Sequence, residues 1–401
     1  MRILMLVPFL PIDQMSGGQT RWYHMIKHLS EKHEITLMSL IKDGWEKKYI
    51  PEIEKYCKNV YVFKRPKSPW TFRNLFLTLV SFNPLVVIRN FSMEERSAIK
   101  RELSTHKYDL IHAETFYVMP HIPKTKIPII LVEPTIEYSV YQHYVDHEVL
   151  PIFKFIYQFD ILKLKYWEKF YWRRATKLFS VSNEDREVMK KELPNREIGV
   201  ISNGVDLEFF NSKKVKKKNP PRILYHGNYK WMQNVEAVNL LVKEIWPKIK
   251  TEVKDAKLWI SGRNVPPEII GYSKIDEDIE ISESIKDNRD IYKASAVLVT
   301  PIRGPGGTRL KVLEAMASGL PVVSTPVGVA GLGIKEGRQA LVSSNMNEIA
   351  KMVINLLKNK DKAETIGEEG KKFVKRNFDW KSIVAKINAV YDETKVNSNN
   401  S

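Results

Sequence analysis

The stretch AVLVTPIRGPGGTRLKVLEAMASGLPVVST, residues 296–325, decides how the chain is read. Its apolar opening reads as a strand, the segment holding Gly304, Gly306 and Gly307 as a loop, and the following residues as a helix with Gly319 as C-terminal cap. A second strand opens after Pro321. Glycines in the loop let the backbone approach a ligand closely, and the amides of Gly307, Thr308 and Arg309 would open the helix. A helix start with free N–H groups and a positive dipole end is a phosphate site. Arg309 and Lys311 add full positive charge beside it. Glu314 falls about 9 Å further along the axis at 1.5 Å per residue, where the ribose of a nucleoside diphosphate would present its hydroxyls.

The same strand and helix rhythm extends outward in both directions. The chain opens with an apolar run Ile3 to Val7, a loop carrying Gly17 and Gly18, and then Trp22, Met25, Ile26 and Leu29 at the spacing of a helix with one buried face. Apolar runs at Ile35 to Leu40, Val60 to Phe63, Leu110 to Ile111, Ile129 to Val132 and Leu178 to Val181 continue the pattern. After KKVKKK at 213–218 and Pro220–Pro221, which read as an exposed connector, the rhythm restarts with a strand at Ile223 to Tyr225. A helix over 234–250 and a strand at Leu258 to Ser261 follow. Alternation of this kind is the signature of doubly wound α/β domains. A length of 401 residues suits two of them, each able to bury a core.

The net charge of +17 favours anionic partners, but it divides into +8 over residues 1–200 and +9 over residues 201–401, which argues against a basic tail or a nucleic-acid groove. A single cysteine, Cys57, rules out an internal disulfide and points to a reducing, cytoplasmic setting. The apolar N-terminus is broken by Pro8 and Pro11 and reads as a strand rather than a leader. The uncharged run NLFLTLVSFNPLVVI, residues 74–88, is shorter than the roughly 18 to 20 residues a spanning helix needs. Residues 151–177 interleave seven Lys plus Arg with nine aromatics and two acids. Two readings stand for this stretch: a helix whose aromatics are core, or one in contact with lipid headgroups.

The run GGTRLKVLEAMASGLPVVST resembles the donor-nucleotide motif of glycosyltransferase family 4, retaining enzymes of the GT-B fold. Further matches lie in the family's order at 16–39, YDLIHAE (108–114), SVSNEDR (180–186), IGVISNGVDLEFF (198–210), YHGNYKWMQNVEAV (225–238) and FDWKSIVAKINAVY (378–391). The resemblance implies two Rossmann-like doubly wound domains facing a central cleft. Residues 1–203 with a crossover helix at 377–396 would form the acceptor side, and 204–376 the donor side. Donor-nucleotide contacts would come from Gly17, Gly18, Ile285, Gly306, Gly307, Thr308, Arg309 and Glu314. Gly306 stands where many members carry the first of two glutamates. Asn228 and Gln233 replace the usual arginine and lysine, which leaves Lys230 as the nearest cation. Glu114 stands where the family often has a histidine, so either it takes over contact with the sugar or acceptor or the active-site hydrogen bonding is arranged differently.

The expected catalytic set is therefore Arg309, Lys311, Lys230 and Glu114, in a retaining transfer of a sugar from a nucleotide-diphosphate sugar to a glycan or lipid-linked acceptor. No metal or other cofactor is expected, because the only D-x-D, Asp276 to Asp278, lies in a polar stretch far in sequence from the glycine loop. An anionic membrane surface is the further partner, with the protein peripheral at the inner membrane face. Two alternatives belong beside this reading: another GT-B sugar-nucleotide enzyme of the epimerase type, or a GT-B binding module that has lost catalysis.

Overall fold

A computed structural model describes residues 1–13, 15–68, 70–283, 285–304 and 310–399. These residues form two compact units, one holding Met1–Ser202 and the chain from Trp380 onward, the other holding Asn203–Gly304 and the described residues from 310 to Asp379.

The first unit is built on β1 (Arg2–Val7), β2 (Glu34–Ile41), β3 (Asn59–Lys64), β4 (Leu110–Glu114), β5 (Ile129–Glu133), β6 (Lys177–Ser180) and β7 (Gly199–Val200). They pair in parallel in the order β3-β2-β1-β4-β5-β6-β7. Parallel strands need crossover helices, which cover both faces of the sheet and make the central strands apolar on both sides. On one face the helix Gly17–Leu29 buries Trp22, Met25, Ile26 and Leu29 against Trp380, Ile383, Ile387 and Tyr391 of the helix Trp380–Asn399. On the other face the helix Pro151–Arg174 supplies Leu164, Tyr171 and Trp172 to a second cluster. Gly17 and Gly18, expected in a loop, form the first turn of their helix instead. Ser16 caps that helix, its hydroxyl accepting from the Gln19 N–H at 3.5 Å.

The second unit repeats the plan with β8 (Arg222–Asn228), β9 (Lys257–Arg263), β10 (Ile279–Ser282), β11 (Val297–Thr300), β12 (Val322–Ser324) and β13 (Leu341–Val342). The order is β10-β9-β8-β11-β12-β13, again parallel. The chain is therefore α/β with two Rossmann-like sheets. The helix Leu310–Ala317 ends as its sequence requires. Gly319 adopts φ +72°, its N–H bonds the Met316 carbonyl (2.9 Å), and the Leu320 N–H reaches back to Ala315 (2.9 Å). The single helix expected over 234–250 is instead Met232–Leu240, a wide turn at Leu241–Ile245, and Trp246–Glu252. Pro247 has no N–H to offer the carbonyl one turn back, so the regular ladder cannot run through it. The basic connector is tethered to this unit, with Lys213 paired to Asp287 (3.0 Å) and Lys218 over the Trp259 ring (4.5 Å).

Among the described residues no helix is long and apolar enough to cross a membrane. The uncharged run at 74–88 falls across two short helices, Phe72–Val80 and Leu85–Asn90, with Pro84 capping the second.

The ends of β8 and β9 approach each other more closely than side chains allow. Gly262 has φ +145°, and a Cβ there would lie 1.7 Å from the Gly227 carbonyl oxygen. Gly262→Ala is therefore expected to cost at least ~2 kcal/mol, read as an earlier urea midpoint. Gly271→Ala is the control: it lies in the helix Pro267–Ile275, where a Cβ meets nothing within 4 Å, and should be neutral or stabilising by up to ~1 kcal/mol.

Candidate functional site

In open parallel sheets, ligands bind beyond the carboxyl ends of the strands at the point where strand order reverses. That point lies between β1 and β4 in the first sheet and between β8 and β11 in the second. Among the described residues, Lys230 and Lys311 lie near that point in the second unit and Glu114 in the first.

In the second unit the turn after β8 carries Asn228 and the exposed Lys230, whose N–H donates to Asn228 Oδ1 at 3.1 Å. Lys311, in the first turn of the helix that follows β11, is half-buried. Its ammonium donates to Asn234 Oδ1 (2.7 Å) and the Tyr225 hydroxyl (3.2 Å), and lies 4.5 Å from the centre of the Tyr225 ring. The Tyr225 hydroxyl also donates to Asn234 Oδ1 (2.8 Å), and the Asn234 amide donates to the Asn228 carbonyl (2.8 Å). A Cβ at Gly227 would meet Asn234 Oδ1 and Lys311 Nζ at 3.1 Å, so glycine is what lets both side chains lie on the strand. Asn234 and Tyr225 were not among the expected site residues. The available signal was an asparagine on the stripe of its helix otherwise buried by Ala237 and Val238.

One turn beyond Lys311, Glu314 accepts from the buried Tyr292 hydroxyl at 2.8 Å. Burial, with the Glu314 charge, keeps that phenol well above its ordinary pKa, so it remains a donor. His226 bonds Ser261 Oγ through Nδ1 (2.9 Å). Burial and the charges of Lys311 and Arg263 push it down to about 3, so the ring is neutral. Ile285 lies in the loop after β10, packed against the cluster that holds Leu313 and Met316. Gly306, Gly307, Thr308 and Arg309 lie outside the described residues.

In the first unit β4 ends in HAE, and all five of its residues are buried. Glu114 is fully enclosed. It accepts from Arg21 Nε (3.3 Å), Trp22 Nε1 (2.9 Å) and His112 Nε2 (3.1 Å), while His112 Nδ1 meets the Tyr391 hydroxyl at 2.6 Å. Burial alone would raise the Glu114 carboxyl, but the Arg21 charge, then His112 and Trp22, hold it below the usual carboxylate range. Of the two expectations for Glu114, this enclosed carboxylate fits the one in which the hydrogen bonding is arranged differently. The carboxylate is the counter-ion of Arg21, whose own Nη1 donates to the Ser202 carbonyl (3.0 Å). Gly17 and Gly18 lie one turn before Arg21, and a Cβ at Gly18 would press on the Trp22 ring at 3.2 Å.

Beyond β5, the buried Glu168 accepts the N–H groups of Glu137 (2.9 Å) and Tyr138 (3.1 Å), and Trp172 Nε1 donates to Glu133 (3.0 Å). Burial pushes the Glu137 carboxyl up to about 7 against the charge of Arg89. His143 and His147 lie within the helix Glu137–Glu148, with ring centres 4.1 Å apart. In the D-x-D, Asp276 and Asp278 are bridged by Lys250 at 2.6 and 2.9 Å, and Lys257 adds a second cation to Asp278 at 2.7 Å. Among the described residues no cluster of three His, Cys, Asp or Glu could hold a metal.

Two Rossmann-like parallel sheets, each with polar groups at its reversal, place the chain among the doubly wound α/β proteins, and sequence comparison narrows the class. Residues 15–209 match the family model described as Glycosyltransferase Family 4, and residues 220–359 the one described as Glycosyl transferases group 1. The chain belongs to this glycosyltransferase family. It is 25% identical over 397 residues to an uncharacterized 44.6 kDa protein in the cps region of Klebsiella pneumoniae, covering 96% of this chain and 98% of that one. It is 26% identical over 257 residues to the UDP-Gal:alpha-D-GlcNAc-diphosphoundecaprenol alpha-1,3-galactosyltransferase of Escherichia coli, over 58% of this chain and 61% of its relative. The fold is shared with sucrose-phosphate synthase from Thermosynechococcus elongatus, with TM-score 0.69 at 17% identity over 98% of each chain.

The Arg21–Glu114 pair sets a stability expectation. Arg21→Met leaves a buried carboxylate without its counter-ion and should cost ~3–5 kcal/mol in urea unfolding, with much of the loss recovered by adding Glu114→Gln. Because the folded carboxyl titrates lower than the unfolded one, wild-type stabilisation is complete above an unfolded pKa of about 4.3 and is lost as pH falls below it. Removal of both partners should flatten that acid limb.

Proposed function

We propose that the protein is a retaining glycosyltransferase that moves a sugar from a nucleoside-diphosphate sugar to a hydroxyl of a glycan or lipid-linked acceptor. The observation that carries this reading is Lys311 with Glu314: one cation and one carboxylate a turn apart on the helix after β11, each held by a tyrosine, at the reversal of the second sheet. In this reading Lys311 lies beside the diphosphate and Glu314 accepts from the ribose hydroxyls. Ile285 meets the base. The GGTR segment, with Gly306, Gly307, Thr308 and Arg309, supplies amides and a second cation.

The acceptor hydroxyl attacks the anomeric carbon from the face the diphosphate leaves. The bond from that carbon to phosphate oxygen breaks as the bond to the acceptor oxygen forms, and the hydroxyl proton passes to the departing phosphate. Arg309, Lys311 and Lys230 stabilise the negative charge that develops there. Gly17 and Gly18 leave room for the donor at the start of their helix. Glu114 acts through Arg21 as a positioning residue. The lipid-diphosphate acceptor named for the Escherichia coli relative supports a lipid-linked or glycan acceptor here. No step calls for a metal, so turnover should survive a chelator.

A thermal-shift screen against UDP-, GDP-, ADP- and TDP-sugars tests the donor class, because a ligand that binds only the folded chain raises Tm, by an amount equivalent to ~2.7 kcal/mol at a hundred times Kd. Arg309→Ala and Lys311→Met are each expected to lower transfer at least about tenfold, measured by release of nucleoside diphosphate with acceptor present. Unchanged turnover would remove these residues from the assigned role. Release of a rearranged free sugar without acceptor would favour an epimerase.

A further inference from the structure

We propose that the helices Phe72–Val80 and Pro151–Arg174 together form a docking platform for an anionic lipid bilayer. The Pro151–Arg174 helix is apolar on two sides. One side, with Ile161, Leu164 and Trp172, is in the core. The other side carries Ile152, Phe155, Phe159, Leu162, Tyr166 and Phe170 at three- and four-residue spacing, from 41% exposed at Phe170 to 83% at Phe155. The Phe72–Val80 helix is barer still, with Phe72 at 87%, Leu79 at 74% and Val80 at 63%, and its only charge is Arg73.

The two helices belong to one surface. The buried Lys163 ammonium donates to the carbonyls of Thr78 (2.5 Å) and Ser81 (3.0 Å), and Trp167 Nε1 donates to that of Phe82 (2.7 Å). The Phe82 ring meets Tyr166 edge-on at 5.0 Å. Soluble chains seldom leave so much contiguous apolar area in water, and a patch of this kind marks a partner.

Charge identifies the partner. The Phe72–Val80 helix has no acid, and the Pro151–Arg174 helix has only Asp160 and Glu168. Both are turned inward, Asp160 accepting from the Leu85 N–H (3.1 Å) and Glu168 fully buried under the N–H groups of Glu137 and Tyr138. The outward charge is cationic, from Arg73, Lys165, Lys169 and Arg173. Glu192, which reaches this side from the next helix, is shared by Lys165 and Lys169 and leaves one of those charges in excess. A second copy docked on the same face would set these cations against themselves, since a two-fold interface apposes identical patches. A bilayer with anionic headgroups takes the rings below the phosphate plane and the cations at it. The interleaving of Lys and Arg with aromatics in residues 151–177 thus serves both readings drawn from the sequence: one side of the helix is core and the other faces lipid.

This surface does not depend on the donor chemistry, because its test needs no sugar nucleotide. The full chain is co-sedimented with phosphatidylcholine vesicles with and without phosphatidylglycerol. Binding should rise about tenfold with phosphatidylglycerol and weaken at high salt. Phe72→Ser combined with Phe155→Ser should lower that binding about tenfold with Tm and circular dichroism unchanged, because both rings stand in solvent. Arg73→Glu with Arg173→Glu, which changes no apolar side chain, should lower it likewise. Equal binding to both vesicle types, equal binding of wild type and variants, or a concentration-dependent dimer abolished by the phenylalanine variant would overturn the proposal.

Discussion

The buried carboxylate of Glu114 is the charge around which the first unit is organised. A carboxylate at the end of a strand covered on both faces is tolerated only if its lone pairs are used and its charge is matched. Arg21 and Trp22 come from the first helix, and His112 from the strand itself. Tyr391 comes from the last helix, which returns from the far end of the sequence. Three segments distant in the chain are therefore fixed to one point at the carboxyl edge of the sheet. The N-terminal turn holding Gly17 and Gly18 owes its position to the arginine one turn later.

The second unit solves a related problem with a cation. Lys311 is half-buried against an amide oxygen, a hydroxyl and an aromatic face. The same lysine, with Arg263, depresses His226 into its neutral form and leaves that ring to serve as a hydrogen-bonding support. Positive charge at this edge thus lies on Lys311 and Arg263 rather than on the histidine.

The D-x-D and the long aromatic stretch show how a local pattern can be spent in different ways. Three consecutive acids would suit a metal, yet lysines from a neighbouring helix and strand already occupy Asp276 and Asp278. The aromatic helix carries apolar side chains on two sides, one in the core and one exposed. Its period-3.6 pattern therefore blurs, because a helix that is hydrophobic all round has no polar face to mark its orientation.

Hydrophobic period and turn chemistry are local, and they sufficed to mark the alternation of strands and helices in both halves of the chain. They also marked the restart after residue 220, the Gly319 cap and the helix carrying Lys311 and Glu314. They erred where one backbone group lacks a partner, as at Pro247, and by a turn where Ser16 caps a helix earlier than the apolar stripe announces it. Only tertiary structure decided that Glu114 is enclosed, that Asn234 and Tyr225 hold Lys311, and that one side of the Pro151–Arg174 helix is left bare. Each of these depends on which distant segment lies across from a side chain. That is set by sheet order and packing, and not by any spacing along the chain.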